Sequence, residues 1–476
     1  MHENKILCEK IMQQTSRKRT HSQRQVKIDF TGKFLTSFGG TASLISRFIS
    51  KVNFRDFIEN HFPIAETSNN GTGIYSKIVS FFITILNGGN RFAHMNLLNS
   101  DIEVFQKCFQ VERLPKASTS LTRFWNKFNR RSLNEKLLEM SIKFCRSILH
   151  QTNIKEDSLR FDSTILTRYG AQKGGRRGYN PAKRGRPSHQ PQIAFLGSGF
   201  TVNMWNRSGN ISSGNGIIGF FDQTVSYLSK IHITRILADS GYYLINFISH
   251  LEEKGVEYVI SAKIIPILQK KIYGLTNWKK VADGIEVSEF MFQHISKDWS
   301  KDRRYIVIRQ EIKKRPKASG KQLNIFPLLG EEPSYRHQLL ITNNTKDNPY
   351  TIWNYYKPRA NDENIIENLK DGFGFDAFNL DNFWATEAVL MTICLIFHNL
   401  FLYLMKYIVN PEHSRQKLRT FRMKFLIAPA ILGKDGRVDV LRLGIGNKTF
   451  RNKFKKLLDS IENIKLNLNC NAVQYT

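Results

Sequence analysis

The chain has 476 residues, of which 41% are hydrophobic and 12% aromatic, so it can build a globular core but is too long for one compact domain. Lys and Arg number 71 against 40 Asp and Glu, a formal net charge of +31 that makes nucleic acid the leading partner. The five cysteines are scattered without a C-x-x-C pair, so the sequence supports neither a disulfide framework nor a structural zinc site.

The N-terminal third is predicted to be a basic lead followed by helices. Residues 1–28 are polar and basic without periodicity, and we expect a flexible segment that touches DNA phosphates. Residues 29–152 repeat apolar side chains three and four apart, which is typical of amphipathic helices, and one helix should stop at the glycine pair that begins with Gly88. Ser132 and Glu135 have the spacing of a capping box at the start of a later helix.

Two short helices near residue 125 carry exposed basic side chains. They could form a helix-turn-helix that reads DNA, or a helical bundle with a solvated basic face; the sequence favours neither. The basic side chains in question are Arg123, Lys127, Arg130 and Arg131.

A change to period two at the next segment predicts β-structure. In 153–263, Leu159 and Phe161 share one face of a strand while Arg160 and Asp162 share the other, and further strand-like and helical segments predict a mixed α/β sheet. Alternation continues through 264–335, which we interpret as a β-rich insertion in the α/β domain. Residues 336–476 would then hold the second part of the domain and a basic C-terminal region.

The pattern YKPRANDENIIENLK is the most informative local feature. A helix beginning at Pro358 would place Arg359, Glu363 and Lys370 in one narrow stripe, with Tyr356 just before it. The carboxylate suits a hard divalent metal, and the cations and the phenol suit phosphate oxygens. An exposed helix with ordinary intrahelical ion pairs is the alternative.

Two further segments need interpretation. Residues 383–409 are apolar on nearly every face, and we expect a helix buried in a large domain rather than a membrane span. Residues 168–190 contain seven Lys or Arg and no acid, which favours an arm that neutralises DNA phosphates over a solvated loop. The arginines expected to bind DNA there are Arg176, Arg177, Arg184 and Arg186.

These motifs resemble those of one family, the bacterial insertion-sequence transposases with an Asp-Asp-Glu triad. Y-x2-R-x3-E-x6-K is its third signature block, RFDSTIL around Asp162 and ILADSGYY around Asp239 are similar to its first two, and GYNPAKRGRPSH also matches. The resemblance implies a ribonuclease-H-like catalytic domain with a β-strand insertion. It also implies that Asp162, Asp239 and Glu363 are catalytic and hold two Mg²⁺ or Mn²⁺ ions.

The implied function is that of a cut-and-paste transposase. It would bind the terminal inverted repeats of its element, cleave the ends and join the freed 3′-OH ends to target DNA, as a homodimer in a synaptic complex. Tyr356, Arg359 and Lys370 would bind DNA. We expect a cytoplasmic, nucleoid-associated protein without a signal peptide, a membrane partner or a nucleotide cofactor. A nuclease of the same fold without strand transfer and a non-catalytic DNA-binding protein are the alternatives.

Overall fold

The computed structural model describes most of the chain after the N-terminal lead. The described residues are 28–66, 71–115, 117–228, 230–294, 299, 301–313 and 334–468. The lead predicted for residues 1–28 therefore lies outside the described residues, except for residue 28.

Helices dominate the N-terminal region, as the periodicity predicts. The α-helices are α1 (Ser46–Lys51), α2 (Phe54–His61), α3 (Ile74–Leu86), α4 (Ile102–Cys108), α5 (Ser118–Trp125) and α6 (Arg131–Thr152), with a π-helical turn at Thr41–Ile45 and a 3-10 helix at Phe92–Asp101. Helix α3 ends just before Gly88, whose φ of 98° suits glycine and confirms the predicted stop.

The predicted capping box is wrong. Helix α6 begins at Arg131, one residue before Ser132, and its N-cap residue Arg130 makes no side-chain capping bond. Ser132 thus lies inside the first turn, where its hydroxyl is not at the capping position. Glu135 pairs instead with Arg131, at 2.8 Å between Nε and Oε1.

A nine-stranded mixed sheet forms the centre of the molecule, which confirms the predicted mixed α/β class. Its strand order is β10-β11-β12-β13-β9-β8-β2-β6-β7. The strands β2, β8 and β9 are parallel neighbours, and β6 and β7 continue the sheet in antiparallel fashion. The bounds of these five strands are β2 (Glu156–Ser163), β6 (Gln192–Leu196), β7 (Thr201–Trp205), β8 (His232–Ala238) and β9 (Tyr258–Ser261).

The other four strands of the sheet follow β9 in the chain. They are β10 (Lys279–Ala282), β11 (Ile285–Phe292), β12 (Arg303–Glu311) and β13 (Tyr335–Thr342); the first three lie in the predicted β-rich stretch 264–335, and β13 begins at its end. These strands pair in series, and β13 joins them to β9, all antiparallel. Three helices connect the sheet strands: α7 (Ile217–Tyr227), which the sequence reading omitted, α8 (Ile245–Glu253) and α9 (Pro266–Tyr273).

Two helical segments follow the sheet. The first runs from α10 (Pro349–Tyr356) through a 3-10 turn at Lys357–Ala360 to α11 (Asn361–Glu367) and a π turn at Asn368–Gly372. The second runs from α12 (Phe383–Met391) through a π turn at Thr392–Phe397 to α13 (His398–Tyr403) and a π turn at Leu404–Ile408.

The second segment is the one that could be mistaken for a membrane span. Within the described residues one helix, Phe383–Ile408, is long and apolar enough to cross a membrane, and 94% of its most apolar window is buried in the protein. This burial confirms that the segment is a core helix. Helix α14 (Leu418–Phe421), a π turn at Arg422–Leu426, the hairpin β14 (Ala430–Asp435) and β15 (Val438–Leu443), and α15 (Lys448–Glu462) complete the chain.

The first strand belongs to this C-terminal hairpin. Strand β1 (Phe34–Thr36) pairs antiparallel with β14. The buried apolar side chains of the N-terminal helices, of much of the sheet and of the core helix form one continuous cluster.

Candidate active site

Asp162 lies near the carboxyl end of β2. The alternation along the strand buries Leu159 and Phe161 and places Asp162 on the opposite face, where it is 8% exposed. Its Oδ1 accepts a hydrogen bond from the backbone N–H of Ser163 at 2.8 Å. Burial raises the pKa of this carboxyl to about 7, although the guanidinium of Arg359 acts in the opposite direction.

Asp239 follows the last residue of β8. It caps the short 3-10 turn Ser240–Tyr242, and its Oδ1 accepts from the backbone N–H of Gly241 at 2.7 Å. Because β2 and β8 are parallel neighbours with Phe161 opposite Ala238, the two aspartates lie side by side at the carboxyl ends of these strands. Asp239 is the more accessible of the two, with a side chain 39% exposed.

The guanidinium of Arg359 lies between these carboxylates. Nη2 of Arg359 is 3.3 Å from Oδ2 of Asp162 and 3.7 Å from Oδ2 of Asp239. The hydroxyl of Tyr356 donates to the backbone oxygen of Ala238 at 3.3 Å. Two residues of the sequence motif thus contact the ends of the two strands that carry the aspartates.

The helix that bears the motif begins earlier than the sequence reading placed it. It starts at Pro349, with Asn348 as the N-cap residue accepting from the backbone N–H of Thr351. Pro358 lies instead in the 3-10 turn, so Tyr356 is within the helix rather than before it. The predicted start at Pro358 is therefore wrong, because the Asn-Pro pair nine residues upstream is the stronger start signal.

Lys370 also reaches the aspartate-bearing strand. Its Nζ donates to the backbone oxygen of Ile165, just beyond β2, at 3.2 Å. Burial lowers the pKa of this ammonium.

Glu363 is exposed on α11, one turn after Arg359. In the part of the chain that the structure describes, no three His, Cys, Asp or Glu side chains are grouped closely enough to hold a metal ion. The structure thus brings Asp162 and Asp239 together and does not place the Glu363 carboxylate with them.

Two acids close to Glu363 have other partners. Asp362 is fully buried, and its Oδ1 is 2.7 Å from Nη1 of Arg160. Glu367 forms an ion pair with Lys417. Glu363 therefore differs from its neighbours in being exposed without a described ion pair.

Sequence comparison identifies the family. The model of the "Transposase DDE domain group 1" matches residues 18–466. The chain belongs to this transposase family. No match was found among the curated proteins.

Membership in a DDE transposase family implies a metal-dependent enzyme that acts on DNA. The residues present fit a divalent ion, because carboxylate oxygens are its usual ligands in proteins. Asp162 and Asp239 bring two carboxyl groups to the carboxyl ends of β2 and β8, where the guanidinium of Arg359 contacts both of them.

The basic segment 168–190 of this transposase contains two short strands, β4 (Arg176–Arg177) and β5 (Pro187–His189). With β3 (Leu166–Thr167), just before the segment, they form a small three-stranded sheet. The predicted DNA-binding side chains are all exposed: Arg176, Arg177, Arg184 and Arg186.

Buried contacts anchor this segment to the rest of the protein. Arg168 is fully buried; it donates to Nδ1 of His189 at 3.0 Å and bonds Asn379. His189 is therefore an interior residue, whereas Tyr179 of the same segment is 77% exposed. Gly174 has a φ of 82° and approaches Phe383 so closely that a Cβ would lie 2.3 Å from the ring.

The sequence reading missed the role of Arg160. Its guanidinium donates to the backbone oxygen of Pro358 at 3.0 Å as well as to Asp362, and so ties β2 to the motif helix. The available signal was the alternation of β2, which places Arg160 on the same face as Asp162.

Proposed function

We propose that this transposase binds the terminal inverted repeats of its element, cleaves the element ends by two-metal phosphodiester hydrolysis and joins the 3′-OH ends to target DNA. The main support for the proposal is that Asp162 and Asp239 lie side by side at the carboxyl ends of β2 and β8, with Arg359 between them. In hydrolysis, water adds to phosphorus, the P–O3′ bond breaks, and the 3′ oxygen leaves as a hydroxyl while the 5′ phosphate keeps the water oxygen. In joining, the freed 3′-OH attacks a phosphorus atom of the target strand. A new P–O3′ bond forms to the element end, and the P–O3′ bond of the target strand breaks.

Asp162, Asp239 and Glu363 are the residues that would hold Mg²⁺ or Mn²⁺, two ions per active site. Bound metal supplies activation of the attacking oxygen and stabilisation of the leaving oxygen. Glu363 is assigned to the set by its register in the Y-x2-R-x3-E-x6-K pattern. It is exposed on the helix turn that follows Arg359, whereas the adjacent Asp362 is fully buried against Arg160.

The remaining motif residues position the DNA backbone. Arg359 and Lys370 present cations beside the aspartates, where phosphates flanking the scissile bond would lie. Tyr356 fixes the helix against the end of β8 through Ala238. The exposed arginines of segment 168–190 extend this basic surface, because the segment begins only a few residues after Asp162.

A ribonuclease-H-like fold for the catalytic domain is supported by the placement of the acids. Two aspartates lie at the carboxyl ends of adjacent parallel strands of a mixed sheet, and Arg359 of the motif helix contacts both of them. We further propose that a homodimer synapses the two ends and that the protein is cytoplasmic and associated with the nucleoid. The N-terminal helices α1–α6 would contribute to recognition of the repeats.

Cleavage of DNA that carries both ends of the element tests the proposal. An Asp162→Asn variant should lose Mg²⁺-dependent cleavage by at least about a thousandfold while still binding the DNA. The matched control is Asp222→Asn, since Asp222 is a half-exposed acid paired with His250 on the surface. Cleavage by the Asp162 variant at the control's rate would disprove the assignment.

Strand transfer separates a transposase reaction from plain nuclease activity. Supplying pre-cut ends with free 3′-OH groups and a target plasmid should give joined products that depend on Glu363 and Asp239. Hydrolysis without joined products would instead support a nuclease of the same fold.

A further inference from the structure

The loop 208–216, between β7 and α7, contacts the end of the strand that carries Asp162. Ser163 follows Asp162 and donates its backbone N–H to that carboxylate. The hydroxyl of Ser163 is 2.8 Å from the hydroxyl of Ser213 in the loop, and Nε2 of Gln190 donates to both hydroxyl oxygens at 3.3 Å. The loop is therefore hydrogen-bonded to the residue next to Asp162.

The same loop packs against the turn that carries Asp239. Gly241 of this turn donates its backbone N–H to Oδ1 of Asp239 at 2.7 Å. A Cβ added to Gly241 would lie 2.9 Å from the Cβ of Ser213, and one added to Gly214 would lie 2.9 Å from the backbone oxygen of Gly241. Neither glycine could carry a side chain without displacing the opposite segment, so the loop and the turn are in direct contact.

Arg207 binds the loop from within the protein. It is 6% exposed, and its Nη1 donates to the backbone oxygens of Ser212, Ser213 and Asn215 at 3.3, 3.1 and 3.0 Å. Its Nε donates to the backbone oxygen of Gln190 at 3.1 Å, and its own backbone oxygen accepts from the N–H of Gln190 at 2.9 Å. One buried guanidinium thus joins the loop to the segment that also contacts Ser213.

The loop depends on this side chain for its conformation. Eight of the nine residues 208–216 are Gly, Ser or Asn, which favour turns but supply few packing contacts. A guanidinium is costly to bury, and burial lowers the pKa of Arg207. Charged donors bound to four backbone oxygens offset that cost only while the loop stays in place. Removal of Arg207 would leave three loop carbonyls without this donor.

We propose that Arg207 is a positioning residue for the active site, which acts by fixing the loop 208–216 against the carboxyl ends of β2 and β8. It acts through Ser213, which contacts the immediate neighbours of both aspartates. The inference rests on the proposed function for the role of these aspartates in holding a divalent ion. Removing a group that orients metal ligands without touching the metal weakens metal binding roughly 10- to 100-fold.

Binding of Mn²⁺ to the full chain without DNA tests this role independently of cleavage. The free ion is followed by its electron paramagnetic resonance signal. Arg207→Met removes every donor and should weaken Mn²⁺ binding about 10-fold, whereas Arg207→Lys keeps a cationic donor and should retain most of the affinity. Ser213→Ala should weaken binding in the same direction. Adding Ser163→Ala to it should cause no further loss, because both substitutions remove the same hydrogen bond.

Arg422→Met is the matched control. Arg422 also donates to backbone oxygens, those of Ile85, Leu86 and Gly372, in segments that carry neither aspartate. It should lower the unfolding temperature and leave Mn²⁺ affinity unchanged. Hydrogen exchange measured by mass spectrometry should show residues 208–216 and 239–242 exchanging about 10-fold faster in Arg207→Met and at the wild-type rate in Arg422→Met.

Cleavage as a function of Mn²⁺ concentration gives a second separation. Arg207→Met should need about 10-fold more Mn²⁺ for its half-maximal rate and should recover at least about half of the wild-type rate at saturation. A variant that had simply lost folded protein would show a lower rate at every Mn²⁺ concentration.

Wild-type Mn²⁺ affinity in both Arg207→Met and Ser213→Ala would overturn the positioning role, as would an equal loss of affinity in Arg422→Met. If Arg207→Met did not fold, Ser213→Ala decides, and wild-type affinity in that variant would overturn the role. The proposed function fails separately. If Asp162→Asn bound Mn²⁺ and cleaved DNA like wild type, the aspartates would not hold the ion, and both proposals would fall.

Discussion

An Asp362→Ala variant would leave the Arg160 guanidinium buried without its carboxylate. The two side chains are 0% and 4% exposed and their atoms are 2.7 Å apart, so water cannot replace the lost partner without opening the contact between β2 and the motif helix. This substitution distinguishes a structural acid from a catalytic one, because Asp362 and Glu363 are adjacent in sequence.

The expected loss is about 3–5 kcal/mol in the free energy of unfolding, the usual result of removing one member of a buried ion pair. That is a large part of the roughly 5–15 kcal/mol that stabilises a typical protein. Replacing both partners, as Arg160→Met with Asp362→Leu, should restore much of the loss because no buried charge remains. Glu363→Gln should change the unfolding free energy by less than about 0.5 kcal/mol, since its side chain is exposed.

Urea unfolding and DNA cleavage, measured on the same variants, check this reasoning. Asp362→Ala should shift the unfolding midpoint, whereas Glu363→Gln should keep the wild-type midpoint and lose Mg²⁺-dependent cleavage. Asp371→Ala, at an exposed acid of the same helical segment, serves as the stability control. If Asp362→Ala unfolded like wild type and Glu363→Gln cleaved DNA normally, the third catalytic acid would not be Glu363.

Two further predictions concern charge. The first replaces Arg176, Arg177, Arg184 and Arg186 with Gln. The negative slope of the logarithm of the DNA-binding constant against the logarithm of the salt concentration should become shallower by up to about 3–4, whereas Lys at all four positions should retain the wild-type slope. Equal slopes for the Gln and Lys variants would contradict DNA contact by these side chains. Burial raises the pKa of Glu387 to about 7, so the folded protein binds this proton more tightly than the unfolded chain does. The protonated carboxyl therefore contributes on the order of 3 kcal/mol to the free energy of unfolding at low pH. This contribution is lost as the pH rises from about 4.5 through 7. In urea titrations between pH 4 and 8, Glu387→Gln should flatten that dependence, and parallel curves would refute it.

Local patterns predicted the parts of the site that short segments determine. The period-two alternation of β2 oriented Asp162, and the Ser-Gly turn after β8 located Asp239 at a strand end. The length and apolar character of 383–409 likewise predicted a core helix. Each of these features depends on contacts between residues close in sequence or on overall hydrophobicity.

Contacts between distant residues were beyond the sequence reading. The pairing of β1 with β14 and the bond from Arg160 to Asp362 join segments that no local periodicity relates. The start of the motif helix, in contrast, could have been predicted from local sequence. The Asn348–Pro349 pair is a helix-start signal, and Pro358 was taken as the start instead. The capping box at Ser132 failed because spacing alone does not fix which residue begins a helix.

The core helix Phe383–Ile408 contacts both the N-terminal helices and the central sheet. Phe397 packs against Phe81 and Phe82 of the N-terminal helices, while Asn399 bonds the backbone of Thr201 in the sheet. The region expected to recognise the element ends therefore shares its interior with the catalytic sheet. A new recognition region could not be exchanged by recombination as a detachable unit, so changes in end specificity would have to accumulate on exposed residues while this shared interior stays constant.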